Sequence, residues 1–310
     1  MSLEQSIEKF IKLQASENNL EYHLIVSVLF ELLYEISVLE KKQVNREKIL
    51  YLLKEVRSIA GQSPFINRMQ TWPCGYPGDY QTIEYLIKGK NKAKQGTVEF
   101  FLEQYCLYSP AAQQHRNKVL KQSELILQLI DNQKRIKRPI KILSLACGSC
   151  PDVRLIKELI KTSLFEFTFV DYDNNALEFS KSKLTNLKNS CMFIKANVLK
   201  LPIDLMNIGP FDLIITGGLF DYLKNQQIIF ILTNIWDKML AAQGKCFFTN
   251  ISYTNPERIL MEYIASWLII PRSENDIKTI CSAAKIPNRC TKIYRDTTQI
   301  TIMVEIEKHS

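Results

Sequence analysis

Residues 142–152 constrain the fold most. An apolar run, Ile142-Leu143-Ser144-Leu145, closes on small residues, Ala146-Cys147-Gly148-Ser149-Cys150. Pro151 then opens a helical pattern carried by Val153, Ile156, Leu159 and Ile160. A short apolar run of this kind reads as a fully buried parallel strand. Gly148 allows a backbone turn that other residues resist. Pro151 suits the first helical position, with Ser149 or Cys150 as the cap and Asp152 in the first turn. Strand, tight turn and helix start form the cradle that nucleotide-binding α/β folds offer a ligand. One glycine is not G-x-G-x-x-G, however, and an ordinary strand-to-helix turn has the same pattern.

The following segments repeat the alternation. Residues 165–170, Phe-Glu-Phe-Thr-Phe-Val, predict the next strand, with Asp171 at its tip. An acid there, roughly twenty residues past a glycine turn, is where such folds hold ribose hydroxyls. Asp173 competes for that role, or caps the next helix with Asn174. Further strands are expected over 191–196, followed by Asn197, over 211–216 and over 245–249, with helices between. The pattern predicts an α/β fold with a doubly wound, Rossmann-like parallel sheet. Ser273 is expected to cap a late helix. Strands over 291–294 and 300–305, turned by 295–298, predict a C-terminal β-hairpin.

Residues 1–60 read as helices throughout: one around Glu8, Phe10, Ile11 and Leu13, a strongly apolar one over 20–39, and one capped by Asn45 that runs to Val56. Gly61-Gln62-Ser63-Pro64 breaks the pattern. The apolar run over 22–39 contains Ser27, Glu31, Glu35 and Ser37, so a buried helix is expected and not a membrane span. Residues 72–80 concentrate Gly, Pro and aromatic residues in a long loop, either a turn packed by its own rings or a lid. A long amphipathic helix over 111–131 carries His115 and Arg116. The expected division is a helical, all-α N-terminal domain over 1–135, for packing or homodimer formation, and an α/β domain over 136–310.

LSLACGS, FVDYD, IKANVLKLP and FDLIITGGLFDYL together resemble the successive motifs of class I S-adenosylmethionine-dependent methyltransferases. The family usually has an acid where Ser144 stands and glycines where Ala146 and Cys150 stand. Gly75-Tyr76-Pro77-Gly78-Asp79-Tyr80, Gly218-Leu219-Phe220-Asp221-Tyr222-Leu223, and Asn250-Ile251-Ser252 with Met261-Glu262 and Trp267 look like the bacterial subgroup for 3-hydroxypalmitic acid methyl ester biosynthesis, a quorum-sensing signal. The resemblance covers about residues 70–306. It implies S-adenosyl-L-methionine as donor and S-adenosyl-L-homocysteine as product. It also implies a donor site of Tyr76, Gly78, Asp79, Arg116, Ala146, Cys147, Gly148, Asp171, Tyr172, Asn197, Val198 and Gly217. Arg116 would pair with the donor's carboxylate, or form a surface salt bridge. Leu219, Phe220 and Tyr222 would wall the acceptor pocket, and Asp221 and Tyr222 are the candidate catalytic residues. Trp267 and Arg272 read as substrate contacts or as helix packing. The implied acceptor is an apolar acid methylated on its carboxylate. A nucleic-acid or other O- or N-methyltransferase, and a silent donor-binding module, are the alternatives.

Composition bounds the remaining classes. The net charge of +8 would attract an acid, and the basic run 134–138 reads as a solvated helix end or a nucleic-acid footprint without interleaved aromatics. The start shows no basic segment followed by an apolar core, so no signal peptide is expected. Eight cysteines without such a signal imply reduced, cytoplasmic thiols. Cys147-x-x-Cys150 lacks the second ligand pair that zinc needs, and with three histidines in the chain no metal site is expected.

Overall fold

The computed structural model describes residues 2–15, 21–132, 138–200 and 207–309. Leu20, the basic run 134–137 and the Leu201-Pro202 loop end lie outside them. The chain forms two compact units, Met1–Gln113 with Asn255–Leu268, and Gln114–Thr254 with Ile269–Ser310. The expected division at 135 and 136 is drawn differently because the long helix packs on the sheet. Residues 255–268 join the helical unit because Arg57 donates to the carbonyls of Tyr263 and Ile264, and Tyr105 Oη donates to Glu257 at 2.7 Å.

The helical unit runs α1 (Leu3–Lys12), α2 (Tyr22–Lys41), α3 (Arg46–Leu52), α4 (Lys54–Ala60), α5 (Pro64–Thr71), α6 (Tyr80–Lys88) and α7 (Val98–Tyr108). Asn45 caps α3 as expected, accepting from Glu47 N. The single helix expected from 45 to 56 is broken at Leu53; nothing in the local sequence explains the break. Helix α5 follows from Ser63 capping Ile66 N and Pro64 at the first position, a start signal hidden inside the expected breaker. The Glu103 carboxylate, fully buried, accepts from Ser63 Oγ, Phe65 N, Tyr85 Oη and Lys92 N, so one acid ties α5, α6 and α7 together. Helix α2 is long and apolar enough to cross a membrane by length and composition. It buries Ile25, Val28, Leu29, Leu32, Leu33 and Ile36 on one face only. Phe30 and Tyr34 on the other are 51% and 64% exposed, so the helix expected to be buried is buried along one face.

The second unit contains most of α8 (Pro110–Asn132) and a seven-stranded sheet: β1 (Ile140–Leu145), β2 (Phe165–Asp171), β3 (Cys191–Lys195), β4 (Phe211–Thr216), β5 (Leu240–Ile251), β6 (Thr291–Arg295) and β7 (Thr301–Glu307). The strand order is β3-β2-β1-β4-β5-β7-β6. Strands β1 to β5 are parallel, and β7 lies antiparallel between β5 and β6. One face packs α11 (Asn225–Asn234) and α12 (Glu274–Ala283) on Ile214, Cys246, Phe248 and Val304. The other packs α8, α9 (Pro151–Ile156) and α10 (Asn174–Lys183) on Ile142, Phe167, Phe169, Ile215 and Phe247. This is the doubly wound sheet with a C-terminal hairpin that the sequence predicts. Strand β5 starts five residues earlier than expected, across an irregular register between Phe211 and Leu213 and a left-handed Gln243. The hairpin turn falls later than 295–298, because the Asp296 side chain folds it by accepting from Thr298 Oγ1 and Thr301 N. Ser273 forms a capping box with Asp276 at α12.

Candidate functional site

The chain leaves β1 toward β2 and β3, then crosses back to β4 and β5. The tips of β1 and β4 therefore border the crevice at the strand-order reversal, where open α/β sheets bind ligands. The turn after β1 places Ala146, Gly148 and Cys150 in the left-handed region, at φ 50°, 54° and 48°. Only the glycine is free of strain there, and two strained small residues in five mark a turn held by its surroundings. Cys150 occupies the cap position without a side-chain cap bond. Cys147 and Cys150 are both buried, and burial first, then Cys150 itself, holds the Cys147 thiol far above its ordinary range. That thiol is a poor nucleophile, which suits a small lining residue. Among the described residues no three His, Cys, Asp or Glu side chains group to hold a metal.

Asp171, at the tip of β2, fixes this turn from below. Its Oδ2 accepts from Gly148 N at 2.8 Å and its Oδ1 from Asp173 N at 2.9 Å. Burial raises its pKa above the ordinary carboxylate value, against the opposing pull of these amides. Asp173 caps α10 by accepting from Asn175 N, which leaves the strand-tip position to Asp171. Tyr172 beside it is 69% exposed. Past β3, Asn197 is exposed and accepts from Leu199 N, while Val198 is buried. Asp152, in the first turn of α9, is buried, and burial pushes its pKa up to about 6.

The tip of β4 continues through Gly217 and Gly218 into a short helical turn, Leu219–Tyr222. Phe220 is expected to wall a pocket, but it is fully buried and packs on Phe248 at a centroid distance of 4.9 Å. A ring without exposed surface cannot line an open pocket, so Phe220 belongs to the core. Tyr222 is 37% exposed, and Ile270 is exposed nearby in sequence terms to Arg272. Asp221 is buried, accepts from Ile251 N at 2.6 Å and lies 3.4 Å from Lys118 Nζ. Arg272, also buried, donates to the carbonyls of Phe220 and Leu223 and to the side chains of Asn225 and Asn250. It therefore acts as a packing residue that fixes the loop.

Helix α8 faces this loop with a stripe the sequence reading missed. Gln114, Lys118 and Gln122 recur every four residues and are all buried. Such spacing on an amphipathic helix reads as solvent-facing until the partner is known. His115 and Arg116 lie on the same stretch, and burial together with Lys118 and Arg116 holds His115 well below the usual imidazole range. In the helical unit, Asp79 caps α6 and accepts from Arg68, Gln81 N and Thr82, so its carboxylate is engaged locally. Tyr76 and Gly78 belong to the loop before it, Gly78 with φ 68°. Trp267 is buried in the same unit.

No protein-family profile matches the chain, and no curated protein matches it. Solved structures do. A Bordetella parapertussis protein described only as a possible exported protein aligns over 87% of this chain and 99% of its own, with 12% identity and a TM-score of 0.58. Magnesium protoporphyrin IX methyltransferase of Synechocystis PCC 6803, solved with bound S-adenosylhomocysteine, aligns over 78% and 96%, with 8% identity and a TM-score of 0.51. A protein described as an O-methyltransferase from Nostoc punctiforme PCC 73102 aligns over 81% and 72%, with 16% identity and a TM-score of 0.50. At these identities the likeness is one of fold, and the fold is that of Rossmann-like methyltransferases.

Proposed function

We propose that this chain transfers a methyl group from S-adenosylmethionine to a small-molecule acceptor, the carboxylate of a fatty or hydroxy-fatty acid, giving a methyl ester. The observation that carries the reading is Asp171. A carboxylate offers about four acceptor positions. Two are used by Gly148 N and Asp173 N, and the remainder suit a ribose diol at the tip of β2. Bound in the crevice, the donor supplies a methyl group made electrophilic by its sulfonium. Asp171 orients the ribose, while Asn197, Val198 and the Tyr172 ring flank the adenine side. Arg116 matches the geometry of the donor's carboxylate. The turn 146–148 and Gly217 let backbone approach the ligand.

Methyl transfer of this kind depends on holding acceptor and donor in line and excluding water. A carboxylate acceptor is already ionised at neutral pH and needs no base. The state of Asp221 supports that acceptor: its carboxylate is committed to Ile251 N and Lys118 and is buried, an anchor for the loop rather than a free base. Leu219, Tyr222 and Ile270 supply apolar surface for an acyl chain, and the net charge of +8 draws an anion. The test is release of S-adenosylhomocysteine with long-chain 3-hydroxy acids, phenols and amines offered in parallel. Turnover with the acids, flat from about pH 6 to pH 8, is expected. Turnover confined to phenols or amines, with a lost acid or basic limb, replaces the ester reading.

A further inference from the structure

Helix α2 carries apolar residues on two sides, and the helical unit buries only one of them. The opposite face runs His23, Ser27, Phe30 and Tyr34, spaced as one helical stripe, with Leu24 beside it; all five are exposed. The apolar surface continues onto α7. The Phe30 ring meets Tyr105 edge-on at 5.6 Å, and the Tyr22 ring lies 6.5 Å from Phe101. Single exposed rings are ordinary, but a contiguous strip of them marks a docking surface. The charges around the strip select its occupant. Half-buried Glu31 and Glu35 stand on its rim, and Lys9 is already bonded to Glu31, at 2.6 Å and 2.8 Å. A helix lying on an anionic lipid surface carries lysine and arginine there. This one carries carboxylates, which favours a protein partner.

We propose that this face pairs with a second copy of the chain, α2 against α2, in an antiparallel two-fold dimer. In a parallel pair Glu31 and Glu35 of one copy would meet the same acids of the other. The antiparallel arrangement separates them and sets the two helix dipoles against each other favourably. Centred near Leu29, it places the small Ser27 of each copy beside Phe30 of the partner subunit, a ring into a gap. The same register brings the Ser27 hydroxyl to Glu31 of the partner subunit, a donor to a carboxylate. One patch serves both copies, so the contact closes at two. Its size sets the strength. Helix α2 has 20 residues and is about 30 Å long. With the α7 rings it offers a strip roughly 20 Å wide, about 600 Å² on each copy, against about 800 Å² for a standard interface. Association on the order of micromolar is therefore expected. The inference goes beyond the methyl-transfer reading and is independent of the donor and acceptor assignments.

Analytical ultracentrifugation of the full chain, from about 1 μM to about 100 μM, should show a monomer–dimer equilibrium. Ser27→Arg and Tyr34→Arg each put a cation on the shared face, twice per dimer, and leave the buried face of α2 alone. Both should weaken dimerisation at least about tenfold. Tyr51→Arg, on α3 in the same unit, changes a ring that is 78% exposed but lies off this face, and should leave the equilibrium unaltered. Cross-linking with a short bismaleimide reads the direction. Ser27→Cys should join the two copies, because residue 27 lies close to its own equivalent across the two-fold axis. Tyr34→Cys should add nothing to the background of the unaltered chain, its equivalents standing about 15 Å apart along the helices. A monomer throughout the range, or a dimer indifferent to both arginine variants, overturns the inference. So does cross-linking through Tyr34→Cys as well as Ser27→Cys, the mark of a parallel pair. Pelleting of the unaltered chain with phosphatidylglycerol vesicles, abolished by Tyr34→Glu, would give the face to lipid instead. Should an arginine variant fail to fold, the cross-linking pattern decides alone.

Discussion

Replacing Asp171 with asparagine separates ligand binding from folding, because two local terms oppose each other. Each carboxylate oxygen accepts one backbone amide, Gly148 N at 2.8 Å and Asp173 N at 2.9 Å. Asparagine keeps one acceptor and turns an NH2 toward the other amide, so one charge-assisted bond is lost, about 1.5–3 kcal/mol. Against this, burial has raised the pKa of Asp171, which means that the folded state disfavours the charge that asparagine removes. The net change in stability should be about 1 kcal/mol, a shift of roughly 2–4 °C in Tm for a unit of this size. Donor binding has no such offset. A ribose hydroxyl that loses its anionic acceptor costs about 1–3 kcal/mol, so affinity for S-adenosylhomocysteine should fall between roughly fivefold and 150-fold. Calorimetry and thermal unfolding on the same samples read the two effects. In the unaltered protein, affinity should also decline as pH falls through the raised pKa of Asp171, since protonation removes the anion. Asparagine should abolish that slope. Affinity within about twofold of the unaltered protein, with a folded variant, would refute the ribose assignment.

Asp152 gives a pH test of stability. Its pKa is raised by burial to about 6 in the folded state. The folded chain therefore holds the proton longer than the unfolded one, and this group's contribution is fully present below the unfolded pKa and lost as pH rises through about 6. Asp152→Asn should flatten the stability profile between about pH 4 and pH 6 and stabilise the protein at pH 7 by up to about 3 kcal/mol; a variant no more stable at pH 7 than the original contradicts it. Arg272→Met should lower Tm by roughly 6–12 °C, because buried carbonyls of Phe220 and Leu223 lose their donor, at about 1–3 kcal/mol each. Arg272→Lys should recover little, since one ammonium cannot span a planar fork, and a Tm within about 2 °C in either variant removes Arg272 as the anchor of this loop.

Hydropathy and turn chemistry alone placed β1 to β4, Asp171 at the tip of β2, and the caps at Asn45 and Ser273. Each of these is set by residues close in sequence: a β-branched apolar run, a proline at a first helical position, a side chain bonding two or three residues away. What the sequence left open involves partners far along the chain. Lys118 and Asp221 are 103 residues apart, and no periodicity shows that a lysine on an amphipathic helix is buried against an acid. The same holds for the 255–268 segment joining the helical unit, and for Phe220, whose place in an apparent binding motif is core. A side chain's spacing records which face it occupies. Whether that face meets solvent, ligand or sheet is decided only when the elements pack, because burial and hydrogen-bond completion depend on the partner surface.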